Sequence, residues 1–104
     1  MRIATWNVNS VKARKERLLA FLSRHRPDVV CLQELKTEGA GHPFEDLRAA
    51  GYESAVLGQK TYNGVAILSR EAQSDVATGF GDGGDESQAR LVAATVGGLR
   101  IASA

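Results

Sequence analysis

The chain has 104 residues, of which 43% are hydrophobic and 24% are charged, and its formal net charge is +1. This length and composition indicate one ordinary globular domain and exclude both two full domains and an intrinsically disordered chain. The near-zero charge excludes a general electrostatic pull toward nucleic acid or membranes, so any such affinity must come from a local patch.

The first third of the chain predicts a strand, a helix and a second strand. Residues 2–8 are strand-like and end near Asn7. Residues 15–25 carry an apolar stripe at helical spacing, with Ser10 as a loose cap before it and Pro27 preventing its continuation. The unbroken apolar run at 29–33 is typical of a strand buried on both faces. A helix that connects two strands usually leaves them parallel.

The rest of the chain predicts one short helix and five short strands. The helix spans 44–50 and stops at Gly51, after a glycine-bearing loop. The strands, predicted from their apolar and β-branched runs, are 52–57, 64–69, 76–80, 90–96 and 99–104. Gly97-Gly98 between the last two indicates a hairpin. The last predicted strand runs to Ala104, and a strand at the very end of a chain leaves an unpaired edge or a missing neighbour. We therefore expect the chain to be the N-terminal part of a longer protein.

Cysteine content and apolar runs bear on the compartment. Cys31 is the single cysteine, which excludes an internal disulfide and suits a reducing compartment. No apolar run approaches the roughly 20 residues needed to span a bilayer, and the first residues lack a signal-peptide pattern. We therefore expect a cytoplasmic protein with no membrane partner.

Polar residues follow the first two predicted strands. Asn7 and Asn9 follow the first strand, and Glu34 follows the second. Ligand sites gather at the carboxyl ends of neighbouring strands, so Asn7 and Glu34 are expected to face each other. A carboxylate beside carboxamides suits Mg²⁺ rather than zinc. From spacing alone, the alternative that Glu34 is a solvated strand end and Asn7 a turn former stays open.

Four segments, in the same order over nearly the whole chain, resemble the exonuclease III family of apurinic/apyrimidinic endonucleases. They are 5–13 (TWNVNSVKA), 27–36 (PDVVCLQELK), 58–69 (GQKTYNGVAILS) and the acidic loop that ends in 90–92 (RLV). The first two alone indicate only the broader endonuclease/exonuclease/phosphatase superfamily, and the third narrows it to the DNA-repair branch. The resemblance implies an α/β fold (α+β in some schemes). It makes residues 1–104 a partial domain, the N-terminal half of a four-layered α/β/β/α sandwich truncated within a strand.

The resemblance also implies a role for each matched residue. Glu34 would be the direct Mg²⁺ ligand, with Mn²⁺ as an alternative ion. Asn7 would be an amide at the metal that orients a catalytic carboxylate. Asn9 stands where many relatives have Asp, and the missing charge puts a second metal there in question. The residues that would contact DNA phosphates are Lys12, Ala13, Thr61, Tyr62, Asn63 and Arg90.

The implied function is that of a Mg²⁺-dependent DNA-repair phosphodiesterase. The complete protein would be a monomer that incises double-stranded DNA 5′ to an abasic site and degrades it from 3′ ends. The family's later motifs, which supply its general base, do not occur in these 104 residues, so the chain alone is expected to be inactive. Two alternatives stay open: a superfamily phosphodiesterase acting on RNA, phospholipid or inositol phosphate, and a non-catalytic folded fragment.

Overall fold

The protein folds into two packed β-sheets with helices on one side. The computed structural model describes residues 1–58, 63–78 and 91–104. In these ranges the helices are α1 (Val11–His25) and α2 (Phe44–Ala49), and a 3₁₀ turn spans Gly39–Gly41. The strands are β1 (Ile3–Asn7), β2 (Val29–Gln33), β3 (Glu53–Leu57), β4 (Val65–Ser69), β5 (Gln73–Thr78), β6 (Val92–Val96) and β7 (Leu99–Ser103).

The first sheet has the strand order β1-β2-β4-β3, and the second has the order β5-β6-β7. The strands β1 and β2 are parallel, with Asn7 opposite Gln33, so the predicted strand–helix–strand unit is confirmed. All other pairings between the described strands are antiparallel. The β6–β7 hairpin turns at Gly97-Gly98 as predicted, and both glycines have positive φ, at 54° and 82°.

Two hydrophobic cores hold the layers together. Val30 and Leu32 of β2 face the helices, where they pack with Leu18 and Leu22 of α1. The alternate residues of β2 face the second sheet, where Cys31 packs with the inward side chains of β6. Burial raises the pKa of the Cys31 thiol, which keeps it neutral. The strand β2 is therefore apolar on both faces, and the layers run helix, sheet, sheet.

The helix α1 begins at Val11, four residues before the predicted start at residue 15. Ser10 caps it, since its side-chain oxygen accepts a hydrogen bond from the Ala13 N–H at 3.3 Å. Val11 is fully buried, so the first turn contributes to the core although most of its other residues are basic. The helix ends where Arg26 adopts a left-handed conformation directly before Pro27.

The strand β5 lies at Gln73–Thr78, and the prediction of 76–80 was therefore wrong at its start; Gly79 and Phe80 lie outside the described residues. Five of its six residues are exposed, because β5 is an edge strand of the second sheet. Its pairing with β6 shifts register between Ser74 and Ala77. Backbone pairing rather than an apolar pattern defines this strand, so its residue types did not locate it.

The remaining predicted boundaries lie within two residues of the observed ones, and those of β2 coincide with them. Among the described helices, none is long and apolar enough to cross a membrane.

Candidate active site at the ends of the parallel strands

The carboxyl ends of β1 and β2 carry four polar side chains that we call the mouth: Asn7, Asn9, Glu34 and Lys36. The backbone ladder between the two strands continues past their ends into the loops that bear these residues. Between these two loops, Val8 N donates to Gln33 O at 3.0 Å, Ser10 N to Glu34 O at 2.9 Å and Val11 N to Leu35 O at 2.9 Å. The segment before β4 joins them, since Leu35 N donates to Gly64 O at 3.1 Å and Lys36 N to Asn63 O at 3.0 Å. Three separate segments are thus fixed to one another beneath the mouth.

Backbone strain is concentrated at this place. Of the seven described non-glycine residues with positive φ, five lie here: Asn9, Ser10, Glu34, Lys36 and Asn63. Asparagine tolerates the left-handed region, but Glu34 at 53° and Lys36 at 56° are unusual there. Such conformations cost of order 1–3 kcal/mol each and cluster at functional sites. The arrangement is therefore held by its surroundings rather than by local preference.

A chain of hydrogen bonds connects the four side chains of the mouth. Asn7 Nδ2 donates to Glu34 Oε2. The Asn9 N–H donates to Asn7 Oδ1 at 3.2 Å, which is an Asx turn. Lys36 Nζ donates to Asn9 Oδ1. Both ends of the Asn7 amide are therefore engaged within the mouth, and Asn7 orients the Glu34 carboxylate.

The donor set of the mouth suits a hard cation. The Glu34 carboxylate is an oxygen ligand of the kind that Mg²⁺ or Mn²⁺ takes, and Mg²⁺ keeps several waters and needs only one or two carboxylates from the protein. The amide oxygen of Asn7 accepts the Asn9 N–H and its amide nitrogen faces Glu34, so a direct contact between Asn7 and the ion stays a prediction. Within the ranges 1–58, 63–78 and 91–104, no group of three or more His, Cys, Asp or Glu side chains is placed to hold a metal ion. Glu34 is thus the one carboxylate of the mouth that can anchor such an ion.

Lys12 lies over the loop that follows the mouth. The backbone of Gly41 passes so close to Lys12 that a Cβ there would lie 2.8 Å from Lys12 Cε and 3.1 Å from its Nζ. The same Cβ would lie 2.0 Å from Thr37 Oγ1, and Thr37 is itself buried. Clefts border Lys12 on both sides of Gly41. Gly41 is therefore the residue that lets Lys12 lie across this loop.

The other residues predicted to contact DNA have three different outcomes. The Ala13 N–H, predicted to donate to a phosphate, donates to Ser10 Oγ, and its distance of 3.3 Å is long for a hydrogen bond. Asn63 joins the rim of the mouth through its backbone oxygen, which accepts the Lys36 N–H. Three residues lie outside the described ranges, and their roles stay predictions: Thr61, Tyr62 and Arg90.

Lys36 is the mouth residue to which sequence reasoning assigned no role. Its signal was present in the Leu-Gln-Glu-x-Lys ending of the second matched segment. Spacing alone did not indicate that the Lys36 ammonium reaches Asn9, because the contact depends on the left-handed backbone at both residues.

His42 is packed inside the fold and is not one of the mouth residues. It is 4% exposed, and its ring lies edge-on to Phe44 with centroids 4.7 Å apart. Its Nε2 lies 3.2 Å from Ser54 Oγ. Burial lowers the pKa of His42 to about 4, so its imidazole is neutral near pH 7. Its burial and its contacts with Phe44 and Ser54 give it a structural role.

Comparison with known proteins covers the mouth and both sheets. Residues 4–103 match the Endonuclease/Exonuclease/phosphatase family. Exodeoxyribonuclease III of Haemophilus influenzae is 32% identical over 94 residues, which are 90% of this chain and 35% of the relative.

Solved structures match the fold closely. The 3′-5′ exonuclease NExo from Neisseria meningitidis has a TM-score of 0.94 and 43% identity, over 98% of this chain and 40% of that one. A structure of the 3′ phosphatase NExo from Neisseria bound to a product DNA hairpin gives 0.95 with the same identity and coverage. An AP endonuclease from Archaeoglobus fulgidus gives 0.93 with 35% identity, over 98% of this chain and 39% of that one. The chain thus spans about 35 to 40% of the length of these relatives.

Proposed function

The chain belongs to the endonuclease/exonuclease/phosphatase family, and on that premise we propose that the complete protein is a divalent-metal-dependent phosphodiesterase of DNA repair. The observation that carries the proposal is the Glu34 carboxylate, oriented by Asn7 at the carboxyl ends of β1 and β2. A carboxylate held in one direction by a neighbouring amide is preorganised to bind a cation without reorganising as the ion arrives.

Glu34 would hold Mg²⁺, with Mn²⁺ as an alternative, and the ion would supply stabilisation of the negative charge that develops on the phosphoryl and leaving oxygens. Asn7 keeps the carboxylate pointed at that position. Activation of the attacking water needs a separate base. Glu34 is the one carboxylate among the four residues of the mouth, so we propose that the 104-residue chain alone is inactive and that the complete protein supplies the base.

We propose that the protein binds DNA independently of its base sequence. Lys12, Ala13, Asn63, Thr61 and Tyr62 would contact phosphates from two loops, and Arg90 would lie beside the DNA face. Phosphate contacts position a duplex without reading its bases. That suits an enzyme whose substrate lacks a base at the lesion. Lys12 lies across Gly41, in the loop that follows β2, and this position supports its proposed contact with a DNA phosphate.

Double-stranded DNA with abasic sites or with 3′ ends is the proposed substrate. The chain is 43% identical to the Neisseria 3′-5′ exonuclease and 3′ phosphatase but 35% identical to the archaeal AP endonuclease. This difference favours removal of 3′-terminal groups as a second candidate activity. We further propose that the complete protein is a monomer in the cytoplasm. The single cysteine among these 104 residues supports the reducing compartment.

A panel of matched substrates tests the proposal. The complete protein is assayed on one duplex that carries an abasic site, a recessed 3′ end or a 3′ phosphate, and on RNA, a phospholipid and an inositol phosphate, each with Mg²⁺ or with EDTA. We expect cleavage only with the metal, and loss of cleavage in Glu34→Gln but not in Glu38→Gln, which alters an exposed carboxylate four positions away. Preferential hydrolysis of RNA, phospholipid or inositol phosphate would instead assign the protein to another branch of the family.

A further inference from the structure

We propose that Lys36 is a phosphate-binding residue of the mouth, and that Asn at position 9 keeps its positive charge available to the substrate. This inference rests on the proposed function, since it takes nucleic acid as the ligand. The juxtaposition that carries it is an ammonium group fixed by a neutral amide, beside the carboxylate that would hold the metal.

The position of Lys36 is fixed from two directions. Its backbone N–H donates to Asn63 O at 3.0 Å and its φ is 56°, which turns the residue out of line with β2. Its Nζ donates to Asn9 Oδ1 at the other end of the side chain. A lysine side chain normally samples many rotamers, and these two hydrogen bonds restrict much of that freedom here. A phosphate that meets Lys36 therefore finds a positioned donor.

The charge of Lys36 is not neutralised by its partner. Asn9 Oδ1 carries no formal charge, so the pair has a net charge of +1. Among the described residues, the ion pairs within 4.0 Å are Lys15 with Asp46 and Arg48 with Glu45. Lys15 therefore differs from Lys36: its Nζ lies 3.2 Å from Asp46 Oδ2. An ammonium has three donors, so Lys36 can hold Asn9 and a phosphate oxygen together.

The location of Lys36 relates it to the metal-binding side of the mouth. Three hydrogen bonds connect Lys36 to the Glu34 carboxylate, through Asn9 and Asn7. A phosphate bound at Lys36 therefore lies next to the place where Glu34 would hold the ion. An Asp at position 9 would form an ion pair with Lys36 and cancel that charge. The residue at position 9 thus acts as a determinant of how strongly this corner of the mouth attracts a phosphate.

Salt titration of DNA binding tests the inference. The complete protein and its variants are titrated with an abasic duplex in EDTA, so that neither cleavage nor metal binding contributes. We expect Lys36→Met to lower the slope of log K against log salt by about one unit, because one phosphate neutralisation is lost. Asn9→Asp should lower the slope equally. Asn9→Gly, which tolerates the φ of 47°, should weaken binding and keep the slope.

Lys15→Met is the matched control, since it removes the same unit charge from a lysine that an aspartate already pairs. Its slope should change much less than that of Lys36→Met. Equal slopes for the wild-type protein and Lys36→Met would overturn the inference and leave the proposed function standing. Equal reductions in Lys15→Met and Lys36→Met would also overturn it, because total charge would then be responsible. A wild-type protein that binds no DNA would overturn the proposed function itself.

Discussion

Protonation of His42 should destabilise the fold as the pH falls. In the folded protein, burial lowers the pKa of His42 from 6.5 to about 4. The unfolded chain therefore binds a proton at this residue between these two pH values, whereas the folded chain does not. The stability associated with neutral His42 is fully present above pH 6.5 and is lost as the pH falls toward 4. A difference of about 2.5 units corresponds to about 3 kcal/mol, which is a large part of the stability of a small domain.

The assay is urea unfolding of the complete protein from pH 7.5 to pH 4.5, beside the variant His42→Leu. The variant loses the contact between His42 Nε2 and Ser54 Oγ, so it should be less stable by about 1 kcal/mol at pH 7.5. It should lose less stability than the wild-type protein on acidification. His25→Gln, which changes an exposed histidine, is the control and should follow the wild-type curve. Parallel pH curves for the wild-type protein and His42→Leu would refute the reasoning.

Four further predictions concern the mouth and its DNA-facing loops. Glu34→Gln should reduce cleavage by several orders of magnitude, because it removes the charge that would hold the metal ion. The thermal midpoint should stay unchanged, because Asn7 can still donate to an oxygen of the glutamine. Near-normal rates at ordinary Mg²⁺ would show that Glu34 is only a solvated residue at the end of β2. The purified 104-residue chain should not cleave an abasic duplex, and measurable Mg²⁺-dependent cleavage would contradict this. Lys12→Ala should lower the slope of log K against log salt for DNA binding by about one unit. Tyr62→Phe should weaken binding by about 0.5–1.5 kcal/mol without changing that slope, because it removes one hydrogen bond and no charge. Unchanged affinity for both variants would show that these loops do not contact DNA. Gly41→Ala should weaken DNA binding, because its Cβ would lie 2.0 Å from Oγ1 of buried Thr37 and 2.8 Å from Lys12 Cε, so the loop beneath Lys12 has to shift. Wild-type affinity in a folded Gly41→Ala protein would show that the position of Lys12 is not critical.

The parallel strands and the meeting of Asn7 with Glu34 were predictable because they depend on local patterns. The unbroken apolar run of β2 indicates a strand buried on both faces, and a helix between two parallel strands leaves their carboxyl ends together. The observed register places Asn7 opposite Gln33, one residue before Glu34. The contact between the two side chains follows from that register.

Other features depend on contacts that residue types do not encode locally. The start of α1 was placed too late, because Ser10 caps a first turn whose residues, apart from buried Val11, are mostly basic. The strand β5 was misplaced because an exposed edge strand needs no apolar alternation. The space for Lys12 above Gly41 arises only when the loop after β2 meets α1. In each case tertiary packing outweighs local propensity.

Leu35 lies between two residues with strained backbone, Glu34 and Lys36, and it explains how both can adopt positive φ. Its side chain is fully buried in the core beneath the helices, its N–H donates to Gly64 O and its carbonyl accepts from Val11 N. Burial of a leucine side chain contributes about 1.5–3 kcal/mol, which is comparable to the cost of one left-handed residue. Glu34 and Lys36 are therefore held on either side of an anchored leucine. The carboxylate and the ammonium project from one anchored loop, and hydrophobic burial between them offsets part of the strain of the two left-handed residues.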